Sequence, residues 1–352
     1  MKDGLQSFLS REYPEFESVE ISDFAPIPGG YSRETYRFDA VFRRGSATES
    51  RPCILRKDPP PTAAILNTSR QSEHELLLQV AEHTNIPVPK SYCVANDHSY
   101  FGQSAMVIER ANGSNMVSHL FNGGPCCDQA ESIATHLCEL VAELHLTDPK
   151  KLNPQGLHDD PRGVGADPSS WDNYMDSMIR YYINGYPDIA YSPLPAFYDG
   201  YLSLRREKPR PLPVVLVHGD FNPANFLYHD GRVTALIDWE NSHMGDPRED
   251  LGWMSVMDNL SATNIMGSVT KEGGFIPYYN KLTGFNVTAE EVVYFMKFTG
   301  ANIGVPVLSS VKRRLDGEHQ EIIPMYIFQP ATASTMLFAT LLGYPMPSPE
   351  GA

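Results

Sequence analysis

Residues 216–226 read Leu-Val-His-Gly-Asp-Phe-Asn-Pro-Ala-Asn-Phe, and residues 236–240 read Leu-Ile-Asp-Trp-Glu. Each stretch adjoins a short apolar run, which predicts a buried strand beside it. A loop followed by a tight hairpin can bring Asp220, Asn225 and Asp238 to one point. Phosphoryl transfer needs these residue types: a carboxylate that accepts a hydroxyl proton, and an amide oxygen with a second carboxylate that hold magnesium.

Two other interpretations of these residues stay open. The spacing His-x-Asp-x4-Asn arises by chance in roughly a few per cent of chains of this length, so alone it is a moderate signal. Asp220 can be a turn residue and Asn225 a helix cap. A metal-dependent hydrolase can also use His218, Asp220 and Asp238, although the order of the elements upstream disfavours it.

The motif continues beyond the second stretch. Gly245-Asp246-Pro247 and then Asp250-Leu251-Gly252-Trp253 follow it. Together these segments resemble the aminoglycoside phosphotransferase and choline kinase-like family, whose pattern is His-Gly-Asp, four residues, Asn, then Ile-Asp-Trp/Phe-Glu, then Gly-Asp-Pro. The resemblance covers roughly residues 22–110 and 130–260.

The resemblance implies an α+β, two-lobed protein-kinase-like fold. Residues 1–110 would form a β-rich, nucleotide-binding N-lobe, and residues 111–352 a mainly helical C-lobe with the catalytic loop, the metal site and the substrate pocket. It implies that Asp220 is the catalytic base and that Asn225 and Asp238 are the metal ligands. The implied cofactors are ATP and Mg²⁺.

Neighbouring polar residues have supporting roles in this interpretation. His218 is expected to hold the loop by hydrogen bonds rather than to transfer protons. Glu240 either supports the metal site or faces solvent. Asp246 and Asp250 are expected to brace the loop.

A glycine-containing turn is predicted between two strands near the N-terminus. Gly29 and Gly30 would let the backbone approach phosphates there, and Ser32 adds a hydrogen-bond donor. The turn alone is a weak signal, but its position ahead of a strand, a helix and the catalytic loop matches the phosphate loop of the family.

Kinase-like folds place a cation on the next long strand, where it grips the phosphates and pairs with a helix glutamate. Arg56 occupies the position where the family has lysine, and strand alternation points Lys57 the other way. The predicted partner of Arg56 is Glu75 rather than Glu73. Glu109 begins the segment that resembles the adenine-binding hinge.

Periodicity predicts the remaining elements. The first twenty residues are predicted to form an amphipathic helix. Further helices are predicted over residues 69–84, 128–147 and 171–183, and from about residue 248. A strand hairpin is predicted to turn at Asp230-Gly231.

Composition excludes some classes of function. The chain has 352 residues with a net charge of −15 and no basic stripe, which argues against nucleic-acid and anionic-membrane partners. Five cysteines are scattered along the chain, and this pattern predicts free thiols. Neither a signal peptide nor an apolar run of about 18 residues is recognisable, so a cytoplasmic protein is expected.

The acceptor is predicted to be a small hydroxylated molecule. Too few residues separate Asp238 from the next helix for the long activation loop on which protein kinases place a peptide. The aromatic residues Trp171, Tyr174, Tyr181 and Tyr182 are either pocket walls or core. The acids Asp159, Asp160, Asp167, Asp172 and Asp176 either attract a cationic acceptor or form a solvated face. Arg56 in place of lysine leaves a catalytically weak or silent nucleotide-binding protein as the alternative.

Overall fold

The computed structural model describes residues 1–28, 33–61, 64–66, 68–190, 194–318 and 335–344. Within them the strands are β1 (Ser18–Pro26), β2 (Glu34–Arg44), β3 (Ala47–Lys57), β4 (Ser91–Ala95), β5 (Ala105–Glu109), β6 (Val215–Val217), β7 (Phe226–His229), β8 (Arg232–Leu236) and β9 (His243–Gly245). The α-helices are α1 (Lys2–Glu12), α2 (Arg70–His83), α3 (Ala130–Leu146), α4 (Pro149–Leu152), α5 (Trp171–Ile189), α6 (Pro195–Arg206), α7 (Arg248–Leu260), α8 (Ile265–Ser268), α9 (Phe275–Thr283), α10 (Ala289–Leu315) and a last helix over 335–341.

The first five strands form one antiparallel sheet in the order β1-β2-β3-β5-β4. Helix α1 covers one face of it, where Leu5 and Phe8 pack in the same apolar cluster as Phe38 and Leu55. The N-terminal helix is shorter than the predicted twenty residues. It ends at Glu12, and β1 begins at Ser18.

Helix α2 lies between this sheet and the C-terminal half, and it confirms the helix predicted over residues 69–84. Ser69 is its N-cap, and the Ser69 side chain accepts a hydrogen bond from the backbone N–H of Ser72. The buried residues Leu76, Leu77 and Val80 belong to a cluster that continues into α3 and the β7–β8 hairpin. This continuous core anchors α2 against the elements that carry the predicted site.

The β7–β8 hairpin is joined directly to the N-terminal half. It turns at Asp230-Gly231, both with positive φ, as predicted. The backbone N–H of Leu236 donates to the carbonyl of Pro87 at 2.7 Å, and the backbones of Tyr228 and Ser114 exchange two hydrogen bonds of 2.9 Å. These bonds place the end of the hairpin beside the N-terminal sheet.

The second half is mainly helical, so the molecule has the predicted α+β class. Helix α3 matches the prediction for residues 128–147, whereas α5 runs six residues beyond the predicted end at Ile183. Helices α5, α6 and α10 share an apolar core that includes the buried residues Tyr174, Tyr182 and Trp171. Three of the four aromatic residues weighed as pocket walls are thus core residues.

Helix α10 begins with a capping box, in which Thr288 and Glu291 each bond the other's backbone N–H. Helix α10 is long and apolar enough to cross a membrane, judged by length and composition alone. Among the described residues, no other helix meets these two criteria. However, 72% of its most apolar window is buried within the protein. This burial is typical of a core helix.

Candidate active site

The loop between β6 and β7 carries Asp220 at its centre. The side-chain amides of Asn222 and Asn225 each donate to one carboxylate oxygen of Asp220, both at 2.7 Å. Burial and, second, the charge of Asp238 raise the pKa of Asp220 well above its usual range, although the two amides oppose the shift. Asp220 is therefore a fixed carboxylate with an unusually high proton affinity.

The structure brings Asp220, Asn225 and Asp238 together, as the sequence predicts. The backbone N–H of Ile237 donates to the carbonyl of Asn225 at 3.0 Å, which holds the end of β8 beside the loop. Asp238 adopts a left-handed conformation with φ of 68°, which turns the chain sharply after the strand. The three side chains thus converge from a loop and a hairpin.

Asn225 and Asp238 fit a magnesium ion. Among the described residues, no group of three or more His, Cys, Asp or Glu side chains is placed to hold a metal unaided. A carboxylate and an amide oxygen are nevertheless the kind of donors that Mg²⁺ prefers when phosphates and water complete its coordination. Because the Asn225 amide nitrogen points at Asp220, its oxygen is left for such a ligand role.

His218 holds the loop in place. Its Nε2–H donates to the carbonyl of Ile237 at 3.1 Å, and its Nδ1 accepts from the backbone N–H of Asp220 at 3.3 Å. Burial lowers the pKa of this ring. The neutral imidazole therefore serves the bracing role expected from the sequence.

Asp250 braces the same loop from α7. Its carboxylate accepts from the backbone N–H groups of His218 and Gly219 at 2.8 and 2.9 Å, and from the His145 ring at 3.1 Å. Burial alone would raise the pKa of Asp250, but the hydrogen bond and charge of His145 outweigh it and lower that pKa. A buried carboxylate thus fixes the backbone that presents Asp220.

Gly219 has a conformation that glycine alone adopts easily, with φ of +75°. A Cβ at this position would lie 2.2 Å from the carbonyl oxygen of Asn241. The close approach of these two backbones explains why the residue before Asp220 is glycine.

Arg56 extends from β3 into the site, and Lys57 points away from it. The Arg56 guanidinium lies 2.5 Å from Glu73 and 2.5 Å from Asp238, whereas Lys57 pairs with Glu34 at 2.8 Å. Burial alone would lower the Arg56 pKa, but the carboxylates of Asp238 and Glu73 outweigh it and raise that pKa.

The predicted partner Glu75 is wrong, because Arg56 pairs with Glu73. Two residues along a helix correspond to a rotation of about 200°. Since Glu73 faces the sheet, Glu75 points away and instead accepts a 2.8 Å hydrogen bond from Gln71.

A cluster of arginines around Glu240 was not predicted. The Glu240 carboxylate lies 3.1 Å from Arg33, 3.1 Å from Arg70 and 3.4 Å from Arg56. Asp58 bridges Arg33 and Arg70 at 2.9 and 3.0 Å. Glu240 is buried, so it supports the site rather than facing solvent. These partners are far apart along the chain, and no local pattern connects them.

A cavity of about 370 Å³ opens between the N-terminal sheet and the β7–β8 hairpin. Arg56 and Asp238 stand at its polar end, and Glu109 lies on its rim. Its walls are largely apolar, formed by Ile27, Ile54, Leu77, Ile108, Leu227, Ile237 and Trp239. The apolar walls suit a flat aromatic group, and the guanidinium of Arg56 suits an anionic group attached to it.

The backbone N–H of Glu109 donates to the carbonyl of Lys90 at 2.8 Å, and its carboxylate accepts from the Lys90 N–H at 3.1 Å. Glu109 thus lines the cavity with its N–H and one carboxylate oxygen already hydrogen-bonded to Lys90. The predicted phosphate-loop residues Gly29, Gly30 and Ser32 lie outside the described residues.

The curated relatives of this chain carry a different name from its structural neighbours. The chain is 28% identical over 259 residues to acyl-CoA dehydrogenase family member 11 of Homo sapiens and 28% identical over 288 residues to that of Rattus norvegicus. These matches cover 72% and 79% of this chain but only 30% and 34% of the relatives. The chain therefore spans about a third of the length of these relatives.

Solved structures of phosphotransferases share the fold. A ternary complex of the aminoglycoside phosphotransferase APH(4)-Ia with ADP and hygromycin B superposes with a TM-score of 0.61 at 15% identity, covering 97% of this chain and 100% of that one. A GDP complex of an aminoglycoside 2′-phosphotransferase gives 0.64 at 15% identity, covering 97% and 99%. The macrolide 2′-phosphotransferase MphH of Brachybacterium faecium gives 0.56 at 17% identity, covering 98% and 100%.

At these identities the solved structures show the fold alone. The family model described as the phosphotransferase enzyme family, however, matches residues 23–268, which is more than half of the chain and includes the catalytic loop and both segments of the site. This chain therefore belongs to the aminoglycoside phosphotransferase-type phosphotransferase enzyme family.

Proposed function

We propose that this chain transfers the γ-phosphate of ATP to a hydroxyl group of a small molecule, with Mg²⁺ as the metal. The observation that carries the proposal is the position of Asp220. Two amides fix it, and it lies close to Asp238, which lines the cavity together with Arg56. A base, a metal-binding carboxylate and a phosphate-binding cation are thereby assembled around one point.

Asp220 performs the proton chemistry in this proposal. Its raised pKa suits a group that orients an alcohol and takes its proton as the oxygen attacks the phosphorus. The two amides keep the carboxylate in one orientation, so little reorganisation is needed during the reaction. His218 is neutral and occupied by backbone groups, which leaves Asp220 as the base.

Arg56, Asn225 and Asp238 act on the nucleotide. The guanidinium of Arg56 is always charged and can hold two phosphate oxygens in its planar fork. Asn225 and Asp238 would hold the magnesium, which neutralises the charge on the phosphates when bound. The solved relatives with ADP, AMP-PNP or GDP support a nucleotide in the cavity of this chain.

The acceptor is a small alcohol in this proposal. Helix α7 begins at Arg248, soon after Asp238, which leaves no long loop to bind a peptide. Hygromycin B in a solved relative supports a hydroxylated acceptor. The name of the curated relatives instead favours testing hydroxylated acyl thioesters.

The test is a coupled screen of alcohols, amino sugars and hydroxyacyl thioesters with ATP and Mg²⁺, read as ADP release and as a mass increase of the acceptor. The proposal expects both signals with at least one acceptor. Binding of MgATP without transfer to any alcohol would favour a catalytically silent protein instead. ADP release with only inorganic phosphate as co-product would indicate hydrolysis.

A further inference from the structure

A second cavity of about 250 Å³ lies between α5, α10 and residues 64–66. We call it the arginine pocket. Its lining includes Arg162, Arg313, Tyr181 and Pro306, and Ile65 forms the wall on the side of residues 64–66. None of these residues lines the cavity of about 370 Å³ that is proposed to bind the nucleotide, which we call the nucleotide cavity.

Helix α5, which lines the pocket, also contacts β9 beside the catalytic loop. His243 on β9 pairs with Val217, the residue before His218, and its Nε2 lies 3.1 Å from the hydroxyl of Tyr174 on α5. Helix α5 thus connects a wall of the pocket with the strand beside the catalytic loop.

One wall of the pocket lies close in sequence to the arginine cluster of the active site. Ile65 stands three residues before Thr68, whose hydroxyl accepts hydrogen bonds from Arg70 and Arg33. Both arginines in turn contact Glu240. The segment that supplies this wall is therefore also anchored at the active site.

The charge of the pocket is positive in a chain that is acidic as a whole. Arg162 donates to the amide oxygen of Asn302 at 3.3 Å, and Arg313 donates to the carbonyl of Ala64 at 3.0 Å. Within the described part of the chain, neither guanidinium has a carboxylate within ion-pair distance, and the Nε of Arg313 has no hydrogen-bond partner.

The acids near the pocket leave it with a net positive charge. Among the described residues that line it, Asp188 is the one acid, against the two bases Arg162 and Arg313. Both carboxylate oxygens of Asp160 accept backbone N–H groups, from Val164 at 2.9 Å and from Gly165 at 2.8 Å. Two guanidinium groups are therefore available to a ligand.

We infer that the arginine pocket binds an anionic group of the acceptor, a carboxylate or a phosphate, while the hydroxyl of the same molecule reaches Asp220. This inference rests on the proposed function and names the substrate class for it. Guanidinium groups bind both anions through paired, charge-assisted hydrogen bonds. The apolar side chains of Tyr181, Val305 and Pro306 suit a hydrocarbon segment between the two ends of the acceptor.

A matched series of ω-hydroxy compounds tests the inference. It comprises an ω-hydroxyalkanoate, the ω-hydroxyalkylphosphate, the neutral amide and the ω-aminoalcohol, all of the same chain length. With ATP and Mg²⁺, kcat/KM should be higher for one or both anionic compounds than for the amide by about tenfold to a hundredfold, the value of a charge-assisted contact. The two anions distinguish a carboxylate from a phosphate ligand. A preference for the aminoalcohol, or no preference, overturns the inference but leaves the proposed kinase function standing.

The variants Arg162→Gln and Arg313→Gln locate the effect. Each should raise KM for the anionic compound by about tenfold or more, and leave KM for ATP and turnover of the neutral amide unchanged. Arg180→Gln, at an exposed arginine on α5, the helix that lines the pocket, is the matched control. Equal loss with all compounds would show a structural role and overturn the inference.

Calorimetry tests the pocket without turnover. In the presence of MgADP, the full chain should bind the ω-hydroxyalkylphosphate or the ω-hydroxyalkanoate, and both Gln variants should weaken that binding. If neither anion binds, or if neither substitution changes the binding, the inference is overturned. This holds whether or not any alcohol is phosphorylated. Binding that follows the arginines, but with no phosphoryl transfer to any alcohol, supports the pocket and contradicts the proposed function.

Discussion

The guanidinium of Arg56 on β3 lies 2.5 Å from the carboxylate of Asp238 at the end of the β7–β8 hairpin. This ion pair joins the N-terminal sheet to the element that carries the candidate metal ligands. The same guanidinium pairs with Glu73 on α2 at 2.5 Å. Arg56 is thus oriented from both sides towards the polar end of the nucleotide cavity.

Glu73→Gln should weaken MgATP binding by about tenfold, because Arg56 loses the charged partner that orients it. Glu75→Gln is the matched control, since Glu75 lies on the same helix but bonds Gln71 outside the site. Calorimetric titration of both variants with MgATP measures the difference. Equal affinities in the two variants would contradict the role assigned to Glu73.

Asp238→Asn should abolish the dependence of ATP affinity on Mg²⁺. The substitution removes the one carboxylate of the proposed metal ligands Asn225 and Asp238, and an amide is a weaker ligand for a hard cation. Titrations with ATP in Mg²⁺ and in EDTA should differ for the natural protein but agree for the variant. A retained difference would place the metal elsewhere.

Glu240→Gln should destabilise the fold by about 3–5 kcal/mol, because it leaves buried guanidinium groups without their shared carboxylate. Urea unfolding measures the change. Glu272→Gln, an exposed carboxylate paired with Lys281, is the control and should change stability by about 0.5 kcal/mol or less. Similar values for the two variants would show that the arginine cluster does not depend on Glu240.

The local motifs of the site could be predicted from sequence, because their geometry is set by neighbours in the chain. Asp220, Asn225 and Asp238 converge because a strand, a loop and a hairpin turn at Asp230-Gly231 leave little freedom between them. The sequence did not show which face of α2 packs on the N-terminal sheet. Glu73 and Glu75 are both acidic, and only the packing of the helix on the sheet decides between them.

Long-range features left no signal in the sequence. Arg33 and Arg70 meet Glu240 from the other half of the molecule, and no spacing rule connects them. Tyr182 and Tyr174 belong to the core, whereas Tyr181 lines the arginine pocket, since neighbouring positions on a helix face different directions. The acids Asp172 and Asp176 pair with Lys208 on the surface.

Asp220→Asn should become more stable relative to the natural protein as pH rises. The raised pKa of Asp220 in the folded state means that its contribution to stability is fully present below the ordinary Asp pKa of about 3.9 and is lost as pH rises through the raised value. Asparagine has no such loss. Thermal unfolding of the ligand-free proteins between acid and neutral pH should show a widening difference in favour of the variant, with the exposed Asp172→Asn as control. A constant difference would contradict the shifted pKa.

We propose that Asp220 is the base for transfer of phosphate from ATP to an alcohol. Single-turnover transfer to the best acceptor tests this role by comparing the natural protein with Asp220→Ala, with the phosphorylated alcohol followed by mass spectrometry. We expect one phosphoester per ADP in the natural protein. In the variant we expect a rate lower by about 10²–10⁴ at unchanged MgATP affinity. Phosphoester formation at a similar rate in the variant would contradict the role of Asp220 as the base.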